Sequence, residues 1–147
     1  MRPWLIAGVT LVADQLTKSL VAAAFLPGQS LPLVPRALHL TYVQNTGAAF
    51  GLFKGQHALF VLLSLAVIAW IIREFLTTRA MPGALVWGYA LILGGAAGNL
   101  IDRARLGYVV DFIDLRVWPV FNVGDSAITI GVALLIWRSL RKAPGTF

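Results

Sequence analysis

The chain has 147 residues, 59% hydrophobic and only 12% charged, with mean hydropathy +0.80; a soluble domain carries roughly 25% charged residues, which argues against a single water-soluble core. The formal charge of +6 and pI near 10.6 do not imply nucleic acid, because the basic residues are scattered and mostly flank apolar runs, as membrane-edge anchors do. Cysteine is absent, which removes disulfides, thiolate metal sites and cysteine nucleophiles. The two histidines, His39 and His57, lie far apart without ligand spacing, so neither metal nor cofactor is expected.

The apolar runs predict one integral membrane domain over residues 1–147, with spans at about 4–26, 57–76, 83–101 and 120–138. The first follows Arg2 and stops at Pro27-Gly28. Asp14, Gln15 and Lys18 interrupt it, so it reads as a permanent helix and not as a cleaved signal peptide, whose apolar region is an unbroken run of roughly 7–15 residues. The loop over 27–56 is too long for a simple connector, and Leu38 to Val43 alternates as a strand does. Span two carries no evident chemistry. Span three carries Gly94 and Gly98 four residues apart, a face that a neighbouring helix can approach closely.

The loop over 102–119 holds a second strand-like piece, Tyr108 to Ile113, and lies on the same side of the membrane as the first loop. The fold expected is therefore an all-α membrane protein of four transmembrane helices with a small extracytoplasmic β-sheet platform. Span four ends with Trp137, Arg138, Arg141 and Lys142 at the opposite edge. Lys and Arg count six against five between the two sides, and the amino terminus with the basic tail favours both termini inside.

Only six acidic residues are present, and most stand where acids are costly. An Asp at the centre of a span costs roughly 2.5–3.5 kcal/mol, so Asp14 needs a partner or a purpose. Lys18, one turn on, permits either an internal ion pair or a substrate-facing role. Asn99, Asp102 and Arg103 share a face at the end of span three, where interface anchoring alone would account for them. Asp125 lies near the start of span four, three residues after Asn122, and Asp111 lies in the preceding loop on the same side. Two carboxylates brought together cannot both ionise cheaply, so one holds a proton while the other stays charged, which supplies an acid and a base for water. A serine triad lacks its histidine and elbow motif, and no phosphate-binding loop is present.

Five motifs then carry a resemblance over nearly the whole chain: Asp14-Gln15-Leu16-Thr17-Lys18, Asn45-Thr46-Gly47-Ala48-Ala49-Phe50-Gly51, the run from Gly94 to Arg103, Val109-Val110-Asp111-Phe112, and Phe121-Asn122-Val123-Gly124-Asp125-Ser126. The sequence resembles the lipoprotein signal peptidase (signal peptidase II) family of intramembrane aspartyl peptidases. The resemblance implies Asp111 and Asp125 as the catalytic dyad. It places Asp14, Lys18, Asn45, Asn99, Arg103 and Asn122 at or around the site, and Gly47 and Asp102 join them from the same motifs. It implies a diacylglyceryl-modified prolipoprotein as substrate, cut on the amino side of the lipidated cysteine, by a protein of the bacterial cytoplasmic (inner) membrane in contact with lipid. Beside that substrate, Tyr42, Phe50 and Phe53 of the surface platform are expected to clamp the peptide from above and exclude bulk water. A monomer is expected, with no nucleic-acid partner. Gly124 stands where the family usually has alanine, the segment from Asp114 to Phe121 is short, and Asp114, outside the motifs, is expected to be dispensable. The competing reading is an ion or proton transporter with a relay of Asp14, Lys18, Asp102 and Asp125. A membrane assembly factor would explain the packing glycines but not paired aspartates.

Overall fold

The structure, a computed structural model, describes residues 2–47 and 56–141. Among these described residues, four helices are long and apolar enough to cross a membrane: α1 (Arg2–Ala24), α2 (His57–Thr77), α3 (Gly83–Leu106) and α4 (Val123–Leu140). Three strands, β1 (Ser30–Val34), β2 (Leu38–Asn45) and β3 (Val109–Asp114), form an antiparallel sheet in the order β1-β2-β3 at one end of the bundle. Phe50 and Phe53 lie outside the described residues.

The central helix is α3, which packs on α1, α2 and α4. Its glycines explain why. A Cβ on Gly94 would meet the carbonyl of Ala7 and the side chain of Thr10, both at 2.6 Å, one on Gly98 would collide with the Asp14 carboxylate, and one on Gly95 with the Gly124 carbonyl. The missing side chains thus let α1 and α4 approach the α3 backbone, the close packing that lipid-embedded helices rely on. An apolar cluster of Ala7, Ile71, Ala90, Ile92 and Leu93 joins α1, α2 and α3. Ile71 is the only buried residue of α2 among those described, so α2 turns most of its surface to lipid.

The sheet rests on a second cluster formed by Val21 of α1, Tyr42 of β2, and Val110 and Phe112 of β3. Tyr42 is therefore packed inward and is not free to clamp a peptide. The strand β1 contains Pro32, which reads from sequence as a loop; it is tolerated because β1 is the sheet edge, where a missing N–H breaks no ladder. Gly107, with φ of 80°, ends α3 in the left-handed conformation that glycine adopts without strain and donates its N–H to the Arg103 carbonyl. Helix α4 begins at Val123 and not near 120, because Phe121 pairs with Ile113 in an isolated antiparallel bridge and Asn122 caps the helix. That bridge, with Phe121 accepting from Phe112 and Ile113 and donating to Ile113, draws the start of α4 against β3.

Gly95→Ala should destabilise the α3–α4 contact by about 1–3 kcal/mol, because the Cβ meets backbone that cannot step aside. Gly8→Ala, with nothing within 4 Å, should leave stability unchanged or raise it by up to about 1 kcal/mol. Thermal unfolding in detergent decides; a Gly95→Ala protein as stable as the native one contradicts this packing.

Candidate active site

Asp111 stands mid-strand in β3 and Asp125 in the first turn of α4, and one carboxamide joins them. The Asn122 side chain accepts from the Asp125 N–H at 2.8 Å, the N-cap bond that starts α4, and donates to Asp111 Oδ1 at 2.7 Å. Asn45 of β2 donates to the other oxygen of Asp111 at 2.9 Å, while its own oxygen accepts from the Gly47 N–H at 3.0 Å. Asn99 of α3 donates to Asp125 Oδ1 at 2.7 Å. Asp111 and Asn122 are almost wholly buried, at 1% and 0% exposure. Burial first, and the neighbouring Asp125 charge second, push the Asp111 carboxyl from 3.8 up to about 7, against the opposing bonds from Asn45 and Asn122.

Both aspartates line a groove of about 810 Å³, with Asn45, Gly47, Asn99 and Arg103 beside them. Its walls come from Phe60, Leu63 and Val67 of α2, Ile128 of α4, and Trp118 and Phe121 of the loop between β3 and α4. Arg103 lies over the Phe60 ring at 5.0 Å, a cation–π contact. No ion pair joins it to a carboxylate among the described residues.

Asp14, Lys18 and Asp102 stand behind the groove. Lys18 Nζ lies 2.8 Å from Asp14 Oδ2, 3.0 Å from Asp102 Oδ2 and 2.7 Å from Asn99 Oδ1. Asp14 Oδ1 accepts from the Gly124 N–H at 2.7 Å, an anion at a helix N-terminus. Asp102 Oδ2 also accepts from the Val110 N–H at 3.0 Å, which ties α3 to β3 beside Asp111. Asp102 is thus 4% exposed and more than an interface anchor. Gln15, not singled out as a site residue by sequence reasoning, donates to Asp102 Oδ1 at 2.9 Å and to the Gly98 carbonyl at 3.1 Å. Its place within the Asp14–Lys18 motif was the available signal. At Gly124 a Cβ would stand 3.0 Å from Asp14 Oδ1 and from the Gly95 carbonyl, and 3.1 Å from Asn122 Oδ1. The glycine leaves room for those oxygens, and an alanine needs them to give by a few tenths of an ångström.

Asp114 is a buried part of the sheet and not an exposed loop acid. It accepts from Thr41 at 2.8 Å and from the Arg116 N–H and guanidinium at 2.8 and 3.0 Å. Burial alone would raise its carboxyl, but these donors and the Arg116 charge hold it below the ordinary value.

Four membrane-spanning helices, a sheet at one end, and a buried and a part-buried aspartate side by side on an apolar groove define a multi-pass membrane protein. A family model described as signal peptidase (SPase) II matches residues 6–141. The chain is 45% identical over 140 residues to the lipoprotein signal peptidase of Pelotomaculum thermopropionicum, covering 95% of this chain and 92% of that one. To the protein of the same name from Syntrophomonas wolfei subsp. wolfei it is 48% identical over 137 residues, 92% and 91% of the two chains. A bacterial membrane enzyme solved by the in meso method superposes with a TM-score of 0.90 at 32% identity, covering 99% of this chain and 94% of that one. The chain belongs to the signal peptidase II family, and it is a protease of the membrane.

The raised Asp111 value carries a stability consequence. A carboxyl whose folded value lies above its unfolded one contributes stability that is full below 3.8 and lost as pH rises through about 7. The native protein should lose thermal stability across that window relative to Asp111→Asn, in which this group no longer ionises. Parallel unfolding-temperature curves for the two proteins against pH would contradict the burial of a titrating Asp111.

Proposed function

We propose that the protein removes signal peptides from diacylglyceryl-modified prolipoproteins, hydrolysing the peptide bond on the amino side of the lipidated cysteine with Asp111 and Asp125 as the catalytic dyad. The observation that carries this reading is the pair of carboxyl groups held by Asn45, Asn99 and Asn122 on the wall of an apolar groove. Carboxamides bond both oxygens of Asp111 and one of Asp125 without neutralising either group, so the pair keeps one proton to share.

In the reaction, the ionised member takes a proton from water as the water oxygen bonds to the scissile carbonyl carbon. The protonated member gives its proton to the carbonyl oxygen, and a neutral gem-diol results. Collapse returns a diol proton to the second carboxylate while the first delivers its proton to the nitrogen as the C–N bond breaks. The products are a carboxylic acid and the free amine of the lipidated cysteine, and the dyad is restored. Loss of the shared proton above about pH 7 should lower the rate.

The groove lies where α2 and α4 each pack on α3, and α2 presents Leu62, Leu63 and Leu65 largely exposed. Acyl chains reach the site from lipid while the peptide meets the carboxylates at the sheet end. Arg103, at the groove wall, is placed to meet a substrate carbonyl. A transporter relay fits less well, because Asp14, Lys18 and Asp102 are bonded to one another and to backbone. The setting is the bacterial cytoplasmic membrane, with the sheet outside, both termini inside, and a monomer sufficient for the chemistry.

Asp111→Asn and Asp125→Asn should each lose nearly all cleavage of a lipidated precursor at equal amounts of folded protein, and the double variant should be scarcely worse than either. Glu74→Gln, at the far end of the bundle beside Arg73, should keep most activity. Substantial turnover by either dyad variant ends this mechanism. A cysteine placed at Ser30 should react with an impermeant thiol reagent added outside intact cells, whereas one at Thr146 should not; the opposite labelling reverses the orientation.

A further inference from the structure

Lys18 is 3% exposed, and its three N–H donors meet three oxygens. Two of those acceptors, Asp14 and Asp102, are also committed to backbone N–H groups of α4 and β3. The third, Asn99 Oδ1, points the ammonium at the dyad. Asn99 Oδ1 accepts from Lys18 at 2.7 Å and from Asn122 at 3.2 Å, so the orientation of the carboxamide is fixed and its N–H₂ faces Asp125 Oδ1 at 2.7 Å. A cation on the oxygen of an amide polarises its N–H, which makes it a stronger donor to an anion.

Asp111 has no such hydrogen-bonded path to the ammonium, although the Lys18 charge also favours its ionised form through space. Its donors are Asn122, whose oxygen accepts from a backbone N–H, and Asn45, whose oxygen accepts from another. Among the described residues, neither carboxamide is bonded to a cation. Asp125 moreover sits in the first turn of α4, where the helix dipole favours an anion, whereas Asp111 sits in a strand. The two members of the dyad are therefore inequivalent before substrate arrives.

We propose that Lys18, acting through the Asn99 carboxamide, assigns the roles within the dyad: Asp125 is the carboxylate that takes the proton from water, and Asp111 is the acid that protonates the substrate carbonyl. This rests on the dyad reading above and adds to it the division of labour and a positioning residue outside the groove. Among the described residues, the charged and titratable groups that face the dyad are Lys18 and Asp14 from α1, Asp102 and Arg103 from α3, and the two aspartates themselves. The α2 residues on the groove, Phe60, Leu63, Ser64 and Val67, carry no charge.

The test is the pH profile of kcat for cleavage of a lipidated precursor by the native protein, Lys18→Met, Asn99→Ser and the double variant. The acid limb, where the base becomes protonated, should move to higher pH by roughly one unit in both single variants. The double variant should move no further than either, and KM for Lys18→Met should stay close to native. A purely structural Lys18 would instead lower kcat evenly at every pH with the limb in place, and that result overturns the relay. Where Lys18→Met fails to fold, Lys18→Gln, which offers a donor without the charge, is read in the same way, and an unmoved limb there also overturns the relay.

The role assignment has its own readout. At a pH below the Asp111 midpoint, the infrared band of a protonated carboxyl should vanish in Asp111→Asn and persist in Asp125→Asn, and the reverse pattern overturns the assignment. Failure of the dyad reading would look different, because Asp111→Asn or Asp125→Asn would then still turn over substrate.

Discussion

The buried ammonium of Lys18 is the point on which the sheet end of this molecule is organised. It holds α1 to α3 through Asp102 and Asn99, and it fixes Asp14 where that carboxylate can hold the first turn of α4. A buried ion pair contributes little net stability, yet losing one partner leaves an uncompensated charge that costs about 3–5 kcal/mol. Such an arrangement specifies geometry. It sets the position of α4 and, through Asp102 and the Val110 N–H, the phase of β3. Those two elements carry Asp125 and Asp111.

From that anchor outward, the site is built from carboxamides. Asn45, Asn99 and Asn122 come from a strand, a helix and a helix cap, and each orients a carboxyl group while its oxygen is held by a donor of its own. The Ile113–Phe121 bridge closes the short loop beneath them, so that a strand residue and a helix residue face one groove. The groove itself exists because glycines let α3 sit close to α1 and α4 while the bulky α2 side chains stand off from α4. Packing and chemistry thus share residues: Gly98 leaves room for Asp14, and Asp14 fixes the helix that presents Asp125.

Much of this was legible in the sequence because the membrane makes polar residues conspicuous. Asp14 and Lys18 stand out within an apolar run, and four residues of separation places them on one helix face, which leaves an ion pair and a substrate-facing role both open; the third partner, Asp102, is what spacing does not show. The strands β2 and β3 show through alternation at Leu38 to Val43 and Tyr108 to Ile113. The edge strand does not, since Pro32 reads as a break and only its position at the rim makes it tolerable. Spacing also leaves Asp102 looking like an interface anchor; its bond to the Val110 N–H depends on the turn at Gly107, which sends the chain back across the helix end. Asp114 reads from sequence as a loop acid outside the motifs because its donors, Thr41 and Arg116, meet it only once the sheet has formed. Three-way contacts among distant segments are what a linear reading lacks.

The proposed chemistry asks the groove to take a substrate that is part peptide and part lipid, with the acyl chains supplying binding from the bilayer while the carboxylates act on the peptide bond at its edge. The most direct measurement is cleavage by the purified protein of one precursor in two forms, with and without the diacylglyceryl group on its cysteine. Cleavage confined to the lipidated form, on the amino side of that cysteine, is the expected result; equal cleavage of both forms, or none of either, would contradict a site that a lipid-borne substrate must reach through the membrane.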